Sequence, residues 1–297
     1  MSARATIGLV GARGYVGQEL QSILARHPRF EVAFASRTDA DPAAIAAHRA
    51  DAVVLALSND QSPPYVAALD EARRGTVIVD VSADHRFDDA WVYGLPEINR
   101  ARLRGATRIA NPGCYATAAA LVIKPVADRL AAEAHAFGVS GYSGAGATPS
   151  PRNDVEALRD NLMPYALVGH GHEREVTRHA GPVFLMPHVA PFFRGITMTV
   201  SLPLSRPLTA VELRAVYERA YEGEPLVRVG TEIPLVRDAA SRPHATLGGF
   251  AVDPSGRHAV VVSTLDNLLK GAASQAVQNL NLAFGFPELT GLDPWPT

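Results

Sequence analysis

The apolar positions in the first half of the chain form short runs that are separated by helical spacings. β-branched runs predict strands at Thr6 to Val10 and Val32 to Ala35, and Leu20, Ile23 and Leu24 predict a helix between them. Further apolar runs predict strands at 52–57, 76–81 and 107–110. Strands that are apolar throughout and joined by helices are typical of a parallel sheet covered on both faces. The first half is therefore predicted to be an α/β domain.

The second half of the chain has a different pattern. Residues 196–202 alternate with period two, as in a strand with one buried face. The runs 245–252 and 258–264 flank Asp253-Pro254-Ser255-Gly256, which is a hairpin turn signal. Strands are also predicted at 136–142 and 184–189, whereas Thr148 to Val168 is aperiodic and predicts a long surface loop. Hairpin-linked strands with few helices predict a mixed or antiparallel sheet, so the fold class is α/β plus α+β, with a second domain beginning near Cys114.

Composition and charge narrow the class of protein. The 297 residues are 47% hydrophobic, which is enough for a sizeable core in one large or two ordinary domains. The formal net charge of −2 means that the chain lacks the excess of basic residues that is typical of nucleic-acid-binding proteins. No apolar run reaches the roughly 18 residues of a membrane helix. A single cysteine and an N-terminus without a signal-peptide pattern favour a reducing, cytoplasmic location. We therefore expect a cytoplasmic protein that binds neither nucleic acid nor membranes.

A glycine-rich turn joins the first predicted strand to the first predicted helix. Its sequence is Gly11-Ala12-Arg13-Gly14-Tyr15-Val16-Gly17. In a strand–turn–helix–strand unit, such glycines let the backbone approach a pyrophosphate at the helix N-terminus. The spacing is Gly-x-x-Gly-x-x-Gly rather than Gly-x-Gly-x-x-Gly, and a turn that is tight for steric reasons alone is the alternative. We predict dinucleotide binding, with contacts from Gly11, Arg13, Gly14, Tyr15 and Val16.

The residues that follow the next strands bear on the choice of dinucleotide. An acid after the second strand would bind the ribose 2′-OH of NAD, whereas an arginine accommodates the 2′-phosphate of NADP. Ser36 and Arg37 stand there, with no acid before Asp39, so the sequence favours NADP unless Arg37 is only a solvated loop residue. Ser58, Asn59 and Ser82 follow the third and fourth strands and are predicted cofactor contacts, although turn capping is the alternative for each.

The only cysteine, Cys114, follows an Asn-Pro-Gly turn at the start of an Ala-rich, helix-favouring run. A thiol in the first turn of a helix is favoured as thiolate, and a small buried hydrophobe is the alternative. His170 and His172 lie in the segment Gly169-His-Gly-His-Glu-Arg-Glu175. An activated cysteine needs a base that is distant in sequence, whereas a metal site is disfavoured because the two histidines lack the i, i+4 spacing and no thiolates accompany them. We predict that Cys114 is a nucleophile and that one of these histidines is its base.

Several motifs together resemble one enzyme family. They are Asn111-Pro-Gly-Cys-Tyr-Ala-Thr117, Ser140-Gly-Tyr-Ser-Gly-Ala-Gly146, the Gly169–Glu175 segment, Pro187-His188, Arg194-Gly195 and Asp266-Asn-Leu-Leu-Lys-Gly-Ala272. They are similar to those of the N-acetyl-γ-glutamyl-phosphate reductases of arginine biosynthesis, which are relatives of the semialdehyde dehydrogenases. The likeness spans nearly the whole chain. Two departures are Arg13, where a small residue is more usual, and the short segment between Arg37 and Asp51.

The resemblance implies an NADP-dependent reductase with a Rossmann domain, residues 1–113 with the returning segment 266–297, and an α+β catalytic domain, residues 114–265. It implies that Cys114 attacks an acyl phosphate, and that hydride then reduces the resulting thioester to an aldehyde. The candidate substrate contacts are Arg86, Asn111, Ser143, Gly144, Glu175, His188 and Arg194, and Asn267 is a candidate cofactor contact. A homo-oligomer, dimer or tetramer, is expected, with the apolar sheet of the second domain as a contact surface.

Two alternative functions remain open at this point. The first is a sibling reductase that acts on aspartyl phosphate or an aminoadipyl phosphate, because the loops that read substrate length cannot be folded from sequence. The second is a non-catalytic, NADP-binding regulator. The choice between His170 and His172 as the base also remains open.

Overall fold

The computed structural model describes residues 4–72 and 75–293 of the chain. The chain divides into two compact units, one of residues 1–113 and 272–297 and the other of residues 114–271. Residues 266–271 therefore belong to the second unit, whereas the sequence analysis assigned them to the first domain. The reason is a set of hydrogen bonds within the second unit: the Asp266 carboxylate accepts from Arg194, and the Asn267 side chain accepts from the Gly195 N–H.

The first unit alternates strands with helices. In chain order these are β1 (Ala5–Val10), α1 (Tyr15–Leu24), β2 (Phe30–Ser36), α2 (Pro42–Ala47), β3 (Ala52–Leu55), α3 (Pro63–Glu71), β4 (Val77–Asp80), β5 (Val92–Tyr93), α4 (Pro96–Leu103) and β6 (Arg108–Ala110). The strand order is β2-β1-β3-β4-β6-β5, and the strand pairs are parallel. The predicted α/β class of the first half is confirmed, although the short β5 and the helix α4 were not predicted.

The short segment after β2 forms a single small helix. Asp41 caps α2 by accepting a hydrogen bond from the Ala43 N–H at 3.2 Å. Ile45 is buried on this helix and packs into the core cluster that contains Val10 and Leu55. Six helical residues are therefore enough to connect β2 to β3 while still burying an apolar contact.

The second unit begins at the lone cysteine and contains a mixed sheet. Its elements are α5 (Cys114–Ile123), β7 (Ala134–Gly141), α6 (Val155–Leu158), β8 (Met163–Pro164), α7 (Gly171–His179), β9 (Val183–Ala190), β10 (Ile196–Pro203), α8 (Ala210–Ala220), β11 (Val227–Val229), α9 (Val236–Ala239), β12 (Ala245–Val252) and β13 (His258–Leu265). The strand order is β11-β12-β13-β10-β7-β9-β8. Two pairs, β7 with β9 and β11 with β12, are parallel and the others are antiparallel, which confirms the predicted mixed sheet.

The two faces of this sheet have different surroundings. One face packs against α5, where the Ser263 hydroxyl of β13 donates to the Ala118 carbonyl at 2.8 Å. On the opposite face, side chains of four strands stay exposed or half-buried, and we call this surface the open face. The open face consists of His135, Phe137, Val139, Phe184, Met186, His188, Thr197, Thr199, Ser201, His258 and Val260. Alternate residues of each strand thus serve the core and a surface.

The closing helix α10 (Ala273–Ala283) belongs to the first unit and is buried there. The Asn279 amide of α10 donates to the Gly94 carbonyl at 2.8 Å and to the Asn111 side chain at 3.0 Å. At the other end of the unit, the ring of the buried His27 lies within hydrogen-bond distance of Asn281 and of the Thr290 carbonyl. Among the described residues, no helix is long and apolar enough to cross a membrane.

Candidate active site

The glycine-rich turn of the first unit has one position that leaves room for a ligand. Gly11 adopts a φ of 83°, and a Cβ there would lie 2.1 Å from the Ala56 carbonyl oxygen. A Cβ on Gly17 would lie 2.2 Å from the Gly11 carbonyl oxygen, so both glycines are required by the packing of the chain itself. A Cβ on Gly14 would meet only the Gly11 carbonyl oxygen, at 3.6 Å. The backbone at Gly14 is therefore open to close approach.

The N-terminus of α1 has the backbone chemistry of an anion-binding site. Gly14 immediately precedes this helix, and among the described residues no side chain caps it by a hydrogen bond. The N–H groups of a first helical turn attract anions, and those of α1 have no capping side chain in competition. Arg13 is exposed, and Tyr15 and Val16 are half-buried beside the same turn.

The predicted cofactor contacts that follow β2, β3 and β4 lie on loops and differ in how far their side chains are exposed. Arg37 is mostly exposed and pairs with Asp39 at 3.1 Å. Ser58 and Asn59 are exposed, and the Asn59 side chain accepts from the Ala83 N–H at 3.1 Å. The Ser82 hydroxyl, in contrast, is buried and donates to the Asp80 carboxylate at 2.8 Å. The Ser82 side chain thus binds the carboxylate at the end of the strand that precedes it and is not exposed, in contrast to Arg37, Ser58 and Asn59.

A buried carboxylate that the sequence analysis missed, that of Asp80, connects the loops that follow β3 and β4. Asp80 is fully buried at the end of β4 and lies 2.7 Å from Nδ1 of His85. It also accepts from the Ser62 hydroxyl at 3.0 Å, which ties the loop after β3 to the loop after β4. His85 follows Asp80 by five residues, whereas Ser62 comes from the loop after β3 and meets Asp80 through the pairing of β3 with β4.

Two predicted substrate contacts, Arg86 and Asn111, lie in the first unit and bind its main chain. The buried Arg86 guanidinium donates to the Asn111 and Val81 carbonyls at 2.9 and 2.8 Å. The Asn111 amide donates to the Ala272 carbonyl at 3.2 Å and accepts from Asn279 at 3.0 Å. The placement of Asn111 supports a role in holding α10 rather than in contacting substrate.

In the second unit, Cys114 is the first residue of α5 and is partly exposed. Gly271 lies directly against it: a Cβ on Gly271 would be 2.7 Å from the Cys114 Cβ and 2.6 Å from the Asn267 carbonyl oxygen. Real Cβ atoms do not approach this closely, so only glycine fits beside the thiol. The sequence motif contains Gly271, but its role as a neighbour of Cys114 was not predicted.

Aromatic rings surround the start of α5, against which α7 packs. The Tyr115 ring centroid lies 6.2 Å from that of His170 and 6.0 Å from that of His172. The ring centroid of Tyr165, from the long loop, lies 5.5 Å from that of His170, and burial, followed by the electrostatic effect of Cys114, raises the pKa of Tyr165 to about 12. The fold thus brings both predicted histidines next to the residue that follows Cys114. Tyr165 was missed because its loop has no periodicity.

The two histidines have different hydrogen-bonding roles. Nδ1 of His170 accepts from the His172 N–H at 3.1 Å and so caps α7. Burial, followed by the positive charge of Arg152, lowers the pKa of His170. A neutral imidazole whose Nδ1 accepts a hydrogen bond carries its proton on Nε2 and keeps no free lone pair for a base. His172 lies in the first turn of the helix, one turn before the buried Glu175.

Two of the remaining predicted contacts, Arg194 and Ser143, are hydrogen-bonded to residues 266–267, whereas Gly144 and His188 are not part of this group. The Arg194 guanidinium binds the buried Asp266 carboxylate at 2.6 and 3.2 Å. Asn267 donates to the buried Ser143 hydroxyl at 2.9 Å, whereas Gly144 is exposed. His188 lies on the open face, 4.4 Å from the Phe137 ring, and only its carbonyl reaches the Tyr115 hydroxyl, at 2.6 Å. The placement of His188 does not support its predicted substrate contact, because α5 packs on the other face of the sheet.

Comparisons with known proteins agree with this architecture. The family described as "Semialdehyde dehydrogenase, NAD binding domain" matches residues 6–44 and 35–106, and "Semialdehyde dehydrogenase, dimerisation domain" matches residues 114–267. Aspartate semialdehyde dehydrogenase II from Vibrio cholerae, solved with ASA, has a TM-score of 0.74 at 19% identity and covers 96% of this chain and 99% of its own. The aspartate semialdehyde dehydrogenase from Francisella tularensis has a TM-score of 0.74 at 15% identity, with 94% and 99% covered. These structural likenesses show the fold.

Curated relatives of much higher identity carry a more specific name. The N-acetyl-gamma-glutamyl-phosphate reductase of Stenotrophomonas maltophilia is 53% identical, covering 97% of this chain and 98% of its own length. That of Xanthomonas campestris pv. campestris is 50% identical with the same coverage, and that of Xylella fastidiosa is 49% identical over 99% and 97%. The chain therefore belongs to the semialdehyde dehydrogenase family and, within it, to the group of the N-acetyl-gamma-glutamyl-phosphate reductases.

Proposed function

We propose that this chain reduces N-acetyl-γ-glutamyl phosphate to N-acetylglutamate 5-semialdehyde and releases inorganic phosphate. The observation that carries this proposal is the arrangement around Cys114, a partly exposed thiol at the N-terminus of α5 with His170 and His172 beside the adjacent Tyr115. A nucleophile, a nearby base and helix N–H donors are the parts that acyl transfer from a phosphate requires.

The first chemical step forms a thioester on Cys114. The sulfur forms a bond to the acyl carbon, and the bond from that carbon to the phosphate oxygen breaks, so that phosphate leaves. The positive end of the α5 dipole favours the thiolate that makes this attack. We propose that N–H groups of the first turn of α5 donate to the oxyanion that forms at the acyl carbon.

We assign the proton transfer to His172. Because His170 uses its Nδ1 to cap α7, the thiol proton passes to His172, which lies in the first turn of the same helix. After reduction of the thioester, the carbon–sulfur bond breaks, the aldehyde leaves and the sulfur regains the proton from His172. The rings of Tyr115 and Tyr165, which lie beside His170, limit water at the thioester, which would otherwise be hydrolysed.

A nicotinamide dinucleotide supplies the hydride for the reduction. We propose that the turn at Gly14 and the N-terminus of α1 hold its pyrophosphate. We also propose that the dinucleotide is NADP, because Arg37 rather than an acid follows β2. In the structure Asp39 neutralises part of the Arg37 charge, and a 2′-phosphate would compete for the same guanidinium.

The substitution Arg37→Asp tests the choice of NADP. Loss of the guanidinium removes the partner of the 2′-phosphate, so we expect the KM for NADPH to rise about tenfold or more while the KM for NADH changes little. Steady-state kinetics with both cofactors measure the effect, and Arg26→Asp, at an exposed position after α1, is the matched control. Equal changes in both constants would remove the 2′-phosphate assignment.

A reverse-reaction assay tests the substrate. The chain is incubated with N-acetylglutamate 5-semialdehyde, phosphate and NADP, and NADPH formation is followed by absorbance beside a parallel assay with aspartate semialdehyde. We expect the acetylated glutamate compound to react at least about a hundredfold faster in kcat/KM, because a site that binds polar substituents rejects analogues that leave its groups unpaired. A faster rate with aspartate semialdehyde would assign the chain to the sibling activity.

We also propose that the chain works as a homodimer in the cytoplasm. The second unit matches a dimerisation domain over residues 114–267, and its open face presents aromatic and aliphatic side chains such as Phe137, Phe184 and Met186. Charged residues are depleted at the centres of protein interfaces, and the open face carries no Asp, Glu, Lys or Arg among its described residues. A lone catalytic thiol also suits a reducing compartment.

A further inference from the structure

The long loop before α7 places an arginine, Arg152, beside the aromatic rings around the start of α5. Its guanidinium carbon lies 5.0 Å from the centroid of the Tyr165 ring, and that centroid is 5.5 Å from the His170 ring. Burial, followed by the positive charge of Arg152, lowers the pKa of His170. The same charge opposes the rise in the pKa of Tyr165 that burial and Cys114 cause. Arg152 therefore lies within electrostatic reach of the residues that surround the proposed nucleophile.

The charge of Arg152 is not matched by a carboxylate. Arg152 is exposed, and it forms no ion pair with any residue that the structure describes. The two acids that follow it in the loop have other partners. Asp154 accepts from the Glu156 N–H at 2.9 Å and caps α6, and the Glu156 carboxylate pairs with Arg159 at 2.6 Å. A full positive charge is therefore available to a ligand at this position.

Hydrogen bonds hold the part of the loop that carries Arg152. The amide of the next residue, Asn153, donates to the Gly146 carbonyl at 2.8 Å, which folds the loop back on its own beginning. Three residues before Gly146, the Ser143 hydroxyl accepts from Asn267 at 2.9 Å, in the segment that ends beside the thiol. The loop is thus fixed at its start to one neighbour of Cys114, and Arg152 meets another through Tyr165.

We infer that Arg152 binds an anionic group of the acyl-phosphate substrate and so contributes to substrate specificity. The inference rests on the proposed reduction. The substrate has two such groups, the phosphoryl group and the α-carboxylate, and a guanidinium binds the oxygens of either one with two parallel hydrogen bonds. An arginine that already lies over an aromatic ring loses less freedom when the ligand binds. Arg194, which the sequence analysis assigned to the substrate, is instead matched by the carboxylate of Asp266.

Kinetics of the reverse reaction with the variant Arg152→Met test the inference. Methionine keeps an apolar stem for the Tyr165 ring and lacks the charge. The KM values for inorganic phosphate and for N-acetylglutamate 5-semialdehyde are measured separately at saturating NADP. We expect one of them to rise about tenfold to a hundredfold, which is the usual contribution of hydrogen bonds to a charged group. A rise for phosphate assigns Arg152 to the phosphoryl group, and a rise for the semialdehyde assigns it to the α-carboxylate.

Two further variants and the choice of pH isolate the effect of the charge. Arg159→Met removes an exposed arginine of the same loop that is paired with Glu156, and it should leave both KM values unchanged. Arg152→Lys keeps a positive charge and should recover part of the loss. The assays are run at pH 8, where His170, whose pKa is lowered, is neutral in every variant. Circular dichroism shows that each variant is folded.

The outcomes separate this inference from the proposed function. If Arg152→Met leaves both KM values as in the unaltered chain, or lowers only kcat, Arg152 does not bind the substrate and the inference is wrong although the proposed function stands. If both KM values rise and Arg152→Lys recovers neither, the loop has been disturbed and the charge has no role, so the inference is again wrong. If the unaltered chain does not convert the semialdehyde with phosphate and NADP, the proposed function fails and the inference fails with it.

Discussion

Replacing Cys114 with alanine is expected to lower kcat/KM for the acyl phosphate about 10⁴-fold or more, because no thioester can form without the sulfur. Cys114 is partly exposed at the start of α5, so the smaller side chain disturbs little packing. Steady-state assays measure the loss, and single-turnover experiments show whether phosphate is released without reduction. Binding of NADPH, measured by fluorescence, should be unchanged.

The chemistry of the thiol gives a second readout on the same residue. The unaltered chain has a single cysteine, so the rate of alkylation by iodoacetamide reports on Cys114 alone. A helix N-terminus favours the thiolate, and we expect alkylation faster than that of a free cysteine at pH 7, with loss of activity in parallel. Alkylation at the ordinary rate, or full turnover after it, would exclude the thioester mechanism.

Replacing His172 with asparagine is expected to lower kcat/KM by about 10²- to 10⁴-fold, which is the usual contribution of a general base. The matched control is His170→Asn, because asparagine is a good N-cap and keeps the hydrogen bond at the start of α7. We expect this control to retain most of the activity. The pH profile distinguishes the two variants further, since the acidic limb due to an imidazole should disappear in His172→Asn and persist in His170→Asn.

The opposite result has an equally clear meaning. If His170→Asn loses activity while His172→Asn keeps it, the base is His170, and the hydrogen bond from the His172 N–H to Nδ1 of His170 must break during catalysis. Thermal melting of both variants shows whether either substitution acts only by destabilising α7.

The class of fold follows from local patterns in this chain. Apolar runs such as Ala52 to Leu55 are buried on both sides of a parallel sheet, and the alternation from Ile196 to Leu202 matches a strand with one covered face. Both patterns depend on short-range periodicity, which the sequence contains. Very short elements such as β5 and β8, with two residues each, have no period to detect and were therefore missed.

The candidate site was harder to predict than the fold, because its geometry depends on contacts between distant segments. The glycine-rich turn and Cys114 stand out through residue type and position before a helix. Arg194 and His188 were singled out by the same kind of evidence, but the structure pairs the first with Asp266 and turns the second toward the open face. The type of a residue shows which interactions its side chain can make. Which neighbouring residue it makes them with is decided by the fold.

The amino-acid sequence was thus sufficient for the two fold classes, and it is also the source of the proposals that the glycine-rich turn binds a dinucleotide and that Cys114 is the reactive residue, since these depend on neighbours within about one element of the chain. It could not separate His170 from His172, place Gly271 against the thiol or show that three histidines share one face of a sheet. Those features depend on the register of β7, β9, β10 and β13 and on the packing of α7 against α5. Side chains far apart in the chain acquire their hydrogen bonds, and hence their roles, only when that packing brings them together.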